Sequence, residues 1–422
     1  MNANTASKTS SPAQSPSAWP GWIVKKFGGT SVGSIERIEA VADLLQESVG
    51  QGVYPIAVVS AMSGETNRLV SLAQSIDPRY RGAAYDLLVA SGEQVSVGLL
   101  CIALEKRGLR AQPFLAFQLG IHTDSIHSKA RIQRISTAEI ERCMKEKIIP
   151  VVAGFQGVDE RMNITTLGRG GSDTTGVAVA AALGLGECEI YTDVPAVFSA
   201  DPRLIPKARE IPRLSFDEMM EMASLGSKVL HIRSVEIGAK YNVRIHVRST
   251  FEKRSGTWIV PEGEIMENAA VTSVTHDPNT VIFQLFPVEK GPQFMARLFD
   301  ELAKKGVVVD IITQSEMQEG QKIAFSTTVE DMPLTQTVLA GLLKGTKTDI
   351  TVMDKVAKIS VVGVGMRNHP GVAARFFEVL NEQNVPIHLV TTSEIKISAV
   401  IDSENLTKAA QAMHSRFDLD NN

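Results

Sequence analysis

The chain has 422 residues, 44% of them apolar and 21% charged, and its 43 Lys plus Arg against 47 Asp plus Glu leave a formal net charge of −4. That length suits two or three domains of ordinary globular composition, and the charge balance removes the electrostatic case for a nucleic-acid or membrane-surface protein. Three widely spaced cysteines (Cys101, Cys143, Cys188) make no disulfide framework and fit buried thiols in a reducing cytoplasm, and no apolar run is expected to approach the roughly 18 residues of a membrane span.

Residues 1–20 read as a disordered tail, because the first 19 are rich in Ser, Ala, Thr, Asn and Pro, carry only Lys8 and contain no apolar signal core. Ile23 to Phe27 is a short strand, followed by Gly28-Gly29-Thr30-Ser31. A helix over 34–49 follows from the spacing of Ile35, Ile38, Val41, Leu44 and Leu45. Tyr54 to Met62 and Ile148 to Phe155 are continuous apolar strands of the kind found in buried parallel sheets. Leu167 to Gly171 is a glycine-rich loop, and the next segment opens a helix with Ser172 and Asp173 near its cap. Glu187 to Val194 is a further strand, residues 216–231 form a helix with Ser215 as N-cap, and Val243 to Val247 is a late strand. Strands alternating with helices over about 240 residues indicate one α/β domain with a mainly parallel sheet.

After Pro261 the pattern changes. Ala296 to Glu316 lies over Ala374 to Glu394 at an offset of 78, with eight of 21 positions identical. Each copy reads as a βαββ unit. One such unit has too little core to stand alone, so the two are expected to pack together.

Candidate chemistry gathers at two glycine loops, Lys26-Phe27-Gly28-Gly29-Thr30-Ser31 and Gly168-Arg169-Gly170-Gly171-Ser172-Asp173. Each follows a strand, opens a helix and carries a cation. Such turns let backbone N–H groups approach an anion at a helix N-terminus, although they also serve as plain connections. Neither is a P-loop. In a regular strand Lys25 and Lys26 point to opposite faces. Polar clusters fall at other strand ends, namely Ser60 with Thr66 and Asn67, Ser91 to Glu93, Thr192 with Asp193, and Asp201 to Arg203. The eight histidines show no zinc-binding spacing.

Taken in order, KKFGGTSVGS, VVSAMSGETN, LVASGEQVS, VVAGFQGV, TTLGRGGSDTT, IYTDVPAVFSADPR and LGSKVLHIRSVE resemble aspartokinase, and the two repeats resemble its tandem ACT domains. The resemblance implies an amino-acid-kinase-like α/β/α sandwich over residues 21–262, with βαββ ACT-like units over 275–345 and 355–418. It implies transfer of a phosphoryl group from ATP to L-aspartate, giving 4-phospho-L-aspartate on the way to lysine, threonine and methionine. The alternative is another amino-acid or carboxylate kinase of the superfamily. By the same resemblance Lys26 and Asp173 are catalytic, and Arg169, Glu93, Ser60, Thr66 and Ser172 bind substrate. Gly28, Gly29, Thr30, Thr192, Asp193, Arg203 and Lys228 then match ATP-contacting positions. Mg2+ is expected on the nucleotide, with no protein-built metal site.

The regulatory part departs from the family. Where many relatives carry an effector-binding Asn, this chain has Val308 and Pro386. A homo-oligomer through the ACT units is expected, with lysine or threonine as candidate effectors. A pocket rebuilt around Ser315, Glu316, Ser393 and Glu394 is one way to hold them. Met266, at the domain border, is a conceivable internal start.

Overall fold

The structure, a computed structural model, describes residues 19–227, 229–265, 269–289 and 291–420. Most of the expected tail, Lys228 and Met266 lie outside the described residues. The chain divides into two compact units. The first holds the residues up to Asp193 together with Ile237–His246, and the second holds Val194–Glu236 and everything from Val247 onward.

The first unit contains β1 (Trp22–Phe27), α1 (Ile35–Gly50), β2 (Tyr54–Val59), α2 (Glu65–Ile76), α3 (Ala83–Val89), α4 (Ser91–Lys106), β3 (Ala111–Phe114) and α5 (Ala116–Leu119). It continues with β4 (Ile121–Thr123), β5 (Ile132–Ile135), α6 (Ala138–Lys145), β6 (Ile149–Ala153), β7 (Gln156–Val158), β8 (Ile164–Thr166), α7 (Gly171–Ala182) and β9 (Glu187–Thr192). The expected parallel sheet is present, with β9, β1, β2, β6 and β3 as successive neighbours and every pair parallel. One face buries Phe27, Val59, Val151 and Tyr191 against Val41, Leu45, Leu100 and Leu104 of α1 and α4. The other receives α7, where Gly176 lets the helix approach until a Cβ would stand 3.1 Å from that of Lys26. A second, four-stranded sheet of order β5-β4-β7-β8 was not expected. Its strands are only three or four residues long, too short for a periodic signal.

Helices α3 and α4 run on through Ala90, which keeps helical backbone angles, so Ala83–Lys106 is one 24-residue apolar helix. By length and composition it could cross a membrane, against the expectation that nothing here approaches such a span. Its buried face packs in the first unit's core, and it carries the buried carboxylates of Asp86 and Glu93, as befits a core helix.

The second unit contains β10 (Arg213–Ser215) and α8 (Phe216–Ser224). After them come α9 (Ile232–Tyr241) and β11 (Arg244–Ser249), which are divided between the units, and β12 (Thr257–Val260). Ser215 caps α8 as expected, accepting from the Glu218 N–H at 3.1 Å while Glu218 bonds back. The helix stops at Ser224 and does not reach residue 231. Gly226 has φ +102°, and a Cβ there would sit 2.4 Å from the His276 carbonyl, so the chain turns away under a contact 50 residues distant.

The repeats form β13 (Ser273–Val288), α10 (Pro292–Lys304), β14 (Ile312–Met317), β15 (Gly320–Thr327), α11 (Met332–Leu342) and β16 (Asp349–Val362), then α12 (Val372–Glu382), β17 (Ile387–Thr392), β18 (Lys396–Asp402) and α13 (Leu406–Arg416). They share one six-stranded sheet, β14-β15-β13-β16-β18-β17. The long strands β13 and β16 pair antiparallel at its centre, each serving both repeats. Equivalent positions are buried in both copies: Leu298 and Phe376, Leu302 and Leu380, Val307 and Val385. Val308 and Pro386 are exposed. A cavity of about 310 Å3 opens at one end of the first repeat, beside Val288, Glu289, Phe294, Arg297 and Lys347. Ser315, Glu316, Ser393 and Glu394 do not line it, because the first two lie on edge strand β14 and the others in the turn before β18.

Candidate active site

The C-terminal ends of β1, β2 and β6 converge on the N-terminal end of α7. In a parallel sheet this is where loops part and a ligand can enter. The turn after β1 is tied down by Gly28, whose N–H donates to the Tyr191 carbonyl at 3.1 Å. At Gly29 a Cβ would lie 2.9 Å from the Ala61 carbonyl, so a larger residue would force apart the turns after β1 and β2. Gly168 and Gly170 both take left-handed backbone (φ +79° and +69°) and turn the chain from β8 into α7.

Between these turns lies a cavity of about 280 Å3. Of the residues singled out above, Lys26, Gly29, Ser60, Thr66, Glu93, Arg169, Ser172 and Asp173 line it. Gly28 and Thr30 flank Gly29 in the turn. Thr192 ends β9, the strand beside β1, and Asp193 follows it, with the Thr192 hydroxyl 3.2 Å from the Asp193 carboxylate. Arg203 belongs to the second unit, where its guanidinium makes a bidentate pair with Asp201 at 3.0 and 2.7 Å. Lys228 lies outside the described residues.

Lys26 is buried and ion-paired with Asp173 in the first turn of α7. The contact is one of charge, without hydrogen-bond alignment at that carboxylate oxygen. A position 3.6 Å from the Lys26 ammonium is open only because Gly28 has no side chain. Glu93 is 2% exposed. One of its oxygens accepts the Ala61 N–H at 3.0 Å, and the other is buried without a partner. Burial raises its pKa to about 8. Arg169 is exposed at the rim and makes no ion pair among the described residues. A buried acid with an idle oxygen, a buried ammonium and an uncommitted guanidinium thus face one small volume. That arrangement suits a zwitterion at one end and a phosphate at the other.

Lys25 faces the other way, as the alternation requires. Its ammonium meets the Glu189 carboxylate at 2.7 Å, where the Tyr191 hydroxyl also donates at 3.0 Å, and all three groups are buried. Lys25→Ala should therefore leave the reaction centre intact but destabilise the first unit by about 3 kcal/mol or more, the usual cost of stripping one partner from a buried pair. Urea denaturation checks this, and an unchanged midpoint would show that Glu189 tolerates burial without Lys25.

Asp86 escaped the sequence reading. It is fully buried on α3 and accepts from the Thr166 N–H and hydroxyl, the Ser128 N–H and the His127 ring. Its only local signal is a charge on an otherwise apolar helix.

Residues 21–249 match the model of the amino acid kinase family, and residues 359–417 match an ACT domain. The aspartokinase of Geobacillus stearothermophilus is 45% identical over 400 residues, covering 94% of this chain and 98% of that protein. Aspartokinase 2 of Bacillus subtilis is 42% identical at the same coverage. E. coli aspartokinase III, solved in complex with aspartate and ADP, superposes with a TM-score of 0.80 at 25% identity, covering 93% of this chain and 99% of that one. With a catalytic fold and a C-terminal ACT region in the same order, and near-full-length identity of this size, the chain belongs to the aspartokinase family.

Proposed function

We propose that the cavity bounded by Lys26, Glu93 and Arg169 is where this aspartate kinase carries out its reaction. The enzyme uses ATP to phosphorylate the side-chain carboxylate of L-aspartate and has an ACT regulatory region. A side-chain carboxylate has an ordinary pKa of about 4 and is already ionised at neutral pH, so no strong base is needed to make the nucleophile. What the protein must supply is alignment of two anions and neutralisation of the charge moving between them.

In this reading Arg169 grips the α-carboxylate, for which a planar fork suits, and Glu93 turns its idle oxygen toward the α-ammonium. Ser60, Thr66 and Ser172 offer hydroxyls to the substrate. Lys26 meets the transferring phosphoryl group, with Asp173 holding its ammonium in place. Gly28, Gly29 and Thr30 present the turn to the phosphates, with Thr192 and Asp193 on the nucleotide side; Arg203 and Lys228 are ATP-contacting positions by family resemblance alone. Mg2+ would be carried by the phosphates and water. We further infer a cytoplasmic enzyme that self-associates through its ACT repeats and takes an amino-acid effector there, lysine and threonine being the candidates.

The observation that carries the site assignment is that buried Glu93, one of whose oxygens has no partner, lines the same cavity as Lys26 and Arg169. A coupled assay of ADP release should show turnover with L-aspartate, far less with L-glutamate, and only background without an acceptor. Equal rates with and without aspartate would reject this use of the cavity.

A further inference from the structure

The apolar helix formed by α3 and α4 does more than fill the core. Asp86, Ala90 and Glu93 are spaced four and three residues apart, so they lie along one helical face. Each makes a polar contact outside the helix. Glu93 accepts from Ala61 in the turn after β2, and the Ala90 carbonyl accepts from buried Gln156 at 3.2 Å. Asp86 binds two chain segments at once. Its carboxylate takes the Thr166 hydroxyl at 2.7 Å and the Thr166 N–H at 3.0 Å, and it takes the Ser128 N–H at 3.1 Å on both oxygens. The His127 ring stands 2.7 Å away.

Both segments lead to Arg169. Thr166 ends β8, three residues before it. Ser128 is a non-glycine residue with left-handed backbone, φ +68°, and its carbonyl oxygen would lie 2.8 Å from a Cβ on Gly168. The turn that carries Arg169 therefore rests directly on Ser128. The Thr166 carbonyl also accepts the Ala130 N–H at 2.9 Å, which closes the two segments on each other.

We propose that Asp86 is a positioning residue of the aspartate site, setting the Arg169 turn at a fixed distance from Glu93 through Thr166 and Ser128. This rests on the proposed roles of Arg169 and Glu93. A carboxylate is needed because an amide accepts through one oxygen only, whereas here both oxygens are occupied by donors from two segments. A fully buried carboxylate is costly to keep, so its donors must hold it well, and it holds them equally well in return.

Steady-state kinetics with the full chain test the proposal. Asp86→Asn should raise KM for aspartate by about ten- to 100-fold, the range expected when a ligand loses a charge-assisted contact, while KM for ATP stays within about twofold. Thr166→Val, which removes only the hydroxyl donor, should act in the same direction, and Thr166→Ser, which keeps it, should remain close to wild type. This pair serves even if Asp86→Asn does not fold. In the double variant Asp86→Asn with Arg169→Ala, KM for aspartate should be no higher than in Arg169→Ala alone, because the two act in series. Multiplying effects in the double variant, equal rises in both KM values, or Thr166→Ser as damaged as Thr166→Val would each overturn the proposal. Arg169→Ala alone tests the underlying assignment, and an unchanged KM for aspartate there would reject that assignment instead.

Discussion

Replacing Lys26 with methionine should cut kcat by about a thousandfold or more with little change in fold. A single donor aimed at developing charge in a water-poor site accounts for about a hundred- to a thousandfold in rate, and a full positive charge next to a phosphoryl group in flight belongs at the upper end. The local structure makes Lys26 fit for that role. Strand β1 lies between β2 and β9, which fixes its register on both sides. Gly176 of α7 packs on the lysine stem, and Asp173 faces its ammonium. The charge is thus aimed before substrate arrives and need not reorganise during the reaction. Methionine keeps the stem's length and packing, so loss of activity reports on the charge. Asp173→Asn should fall less far than Lys26→Met, since it loosens the ammonium without removing it. Rates from the coupled ADP assay, with near-UV circular dichroism to verify the fold, decide the matter. A kcat within about tenfold of wild type in Lys26→Met would remove Lys26 from the reaction centre.

Lys26 could be singled out from the sequence because its local features point the same way. Alternation along Ile23 to Phe27 puts Lys25 and Lys26 on opposite faces, and Gly28-Gly29 marks a turn of close approach. The ACT repeat was legible for a similar reason: matched apolar positions such as Leu298 and Phe376 are core positions in both copies. What could not be read depends on contacts between distant segments. Asp86 acquires its role from Thr166, 80 residues later. The end of α8 depends on a carbonyl at His276, and the sharing of β13 and β16 between repeats depends on a strand pairing across about 80 residues. Glu93 was nameable by family resemblance, but its burial and idle oxygen follow from how the turn after β2 folds over α4.

That burial gives the second large effect a pH dependence. Glu93 has its pKa raised to about 8 by desolvation, so in the free enzyme it is largely neutral at pH 7. The sign for stability follows: the contribution of this group is greatest below its unfolded-state pKa and declines as pH rises through about 8, because the folded site resists the charge. Binding runs the other way. An α-ammonium placed against the idle oxygen favours the carboxylate, so aspartate binding below pH 8 expels a proton from Glu93. KM for aspartate should then fall by up to about tenfold per unit from pH 6 toward 8 and level off above it. Glu93→Gln retains the oxygen that accepts from Ala61 but cannot become an anion. It should raise KM for aspartate at pH 8 by about ten- to 150-fold, the worth of a charged hydrogen bond, and flatten the profile. KM for ATP should move little in either protein. Aspartate titrations at saturating ATP from pH 6 to 9 supply both curves. The same slope in wild type and Glu93→Gln would assign the titration to another group, and a flat wild-type profile would mean that aspartate binding leaves the protonation of Glu93 unchanged.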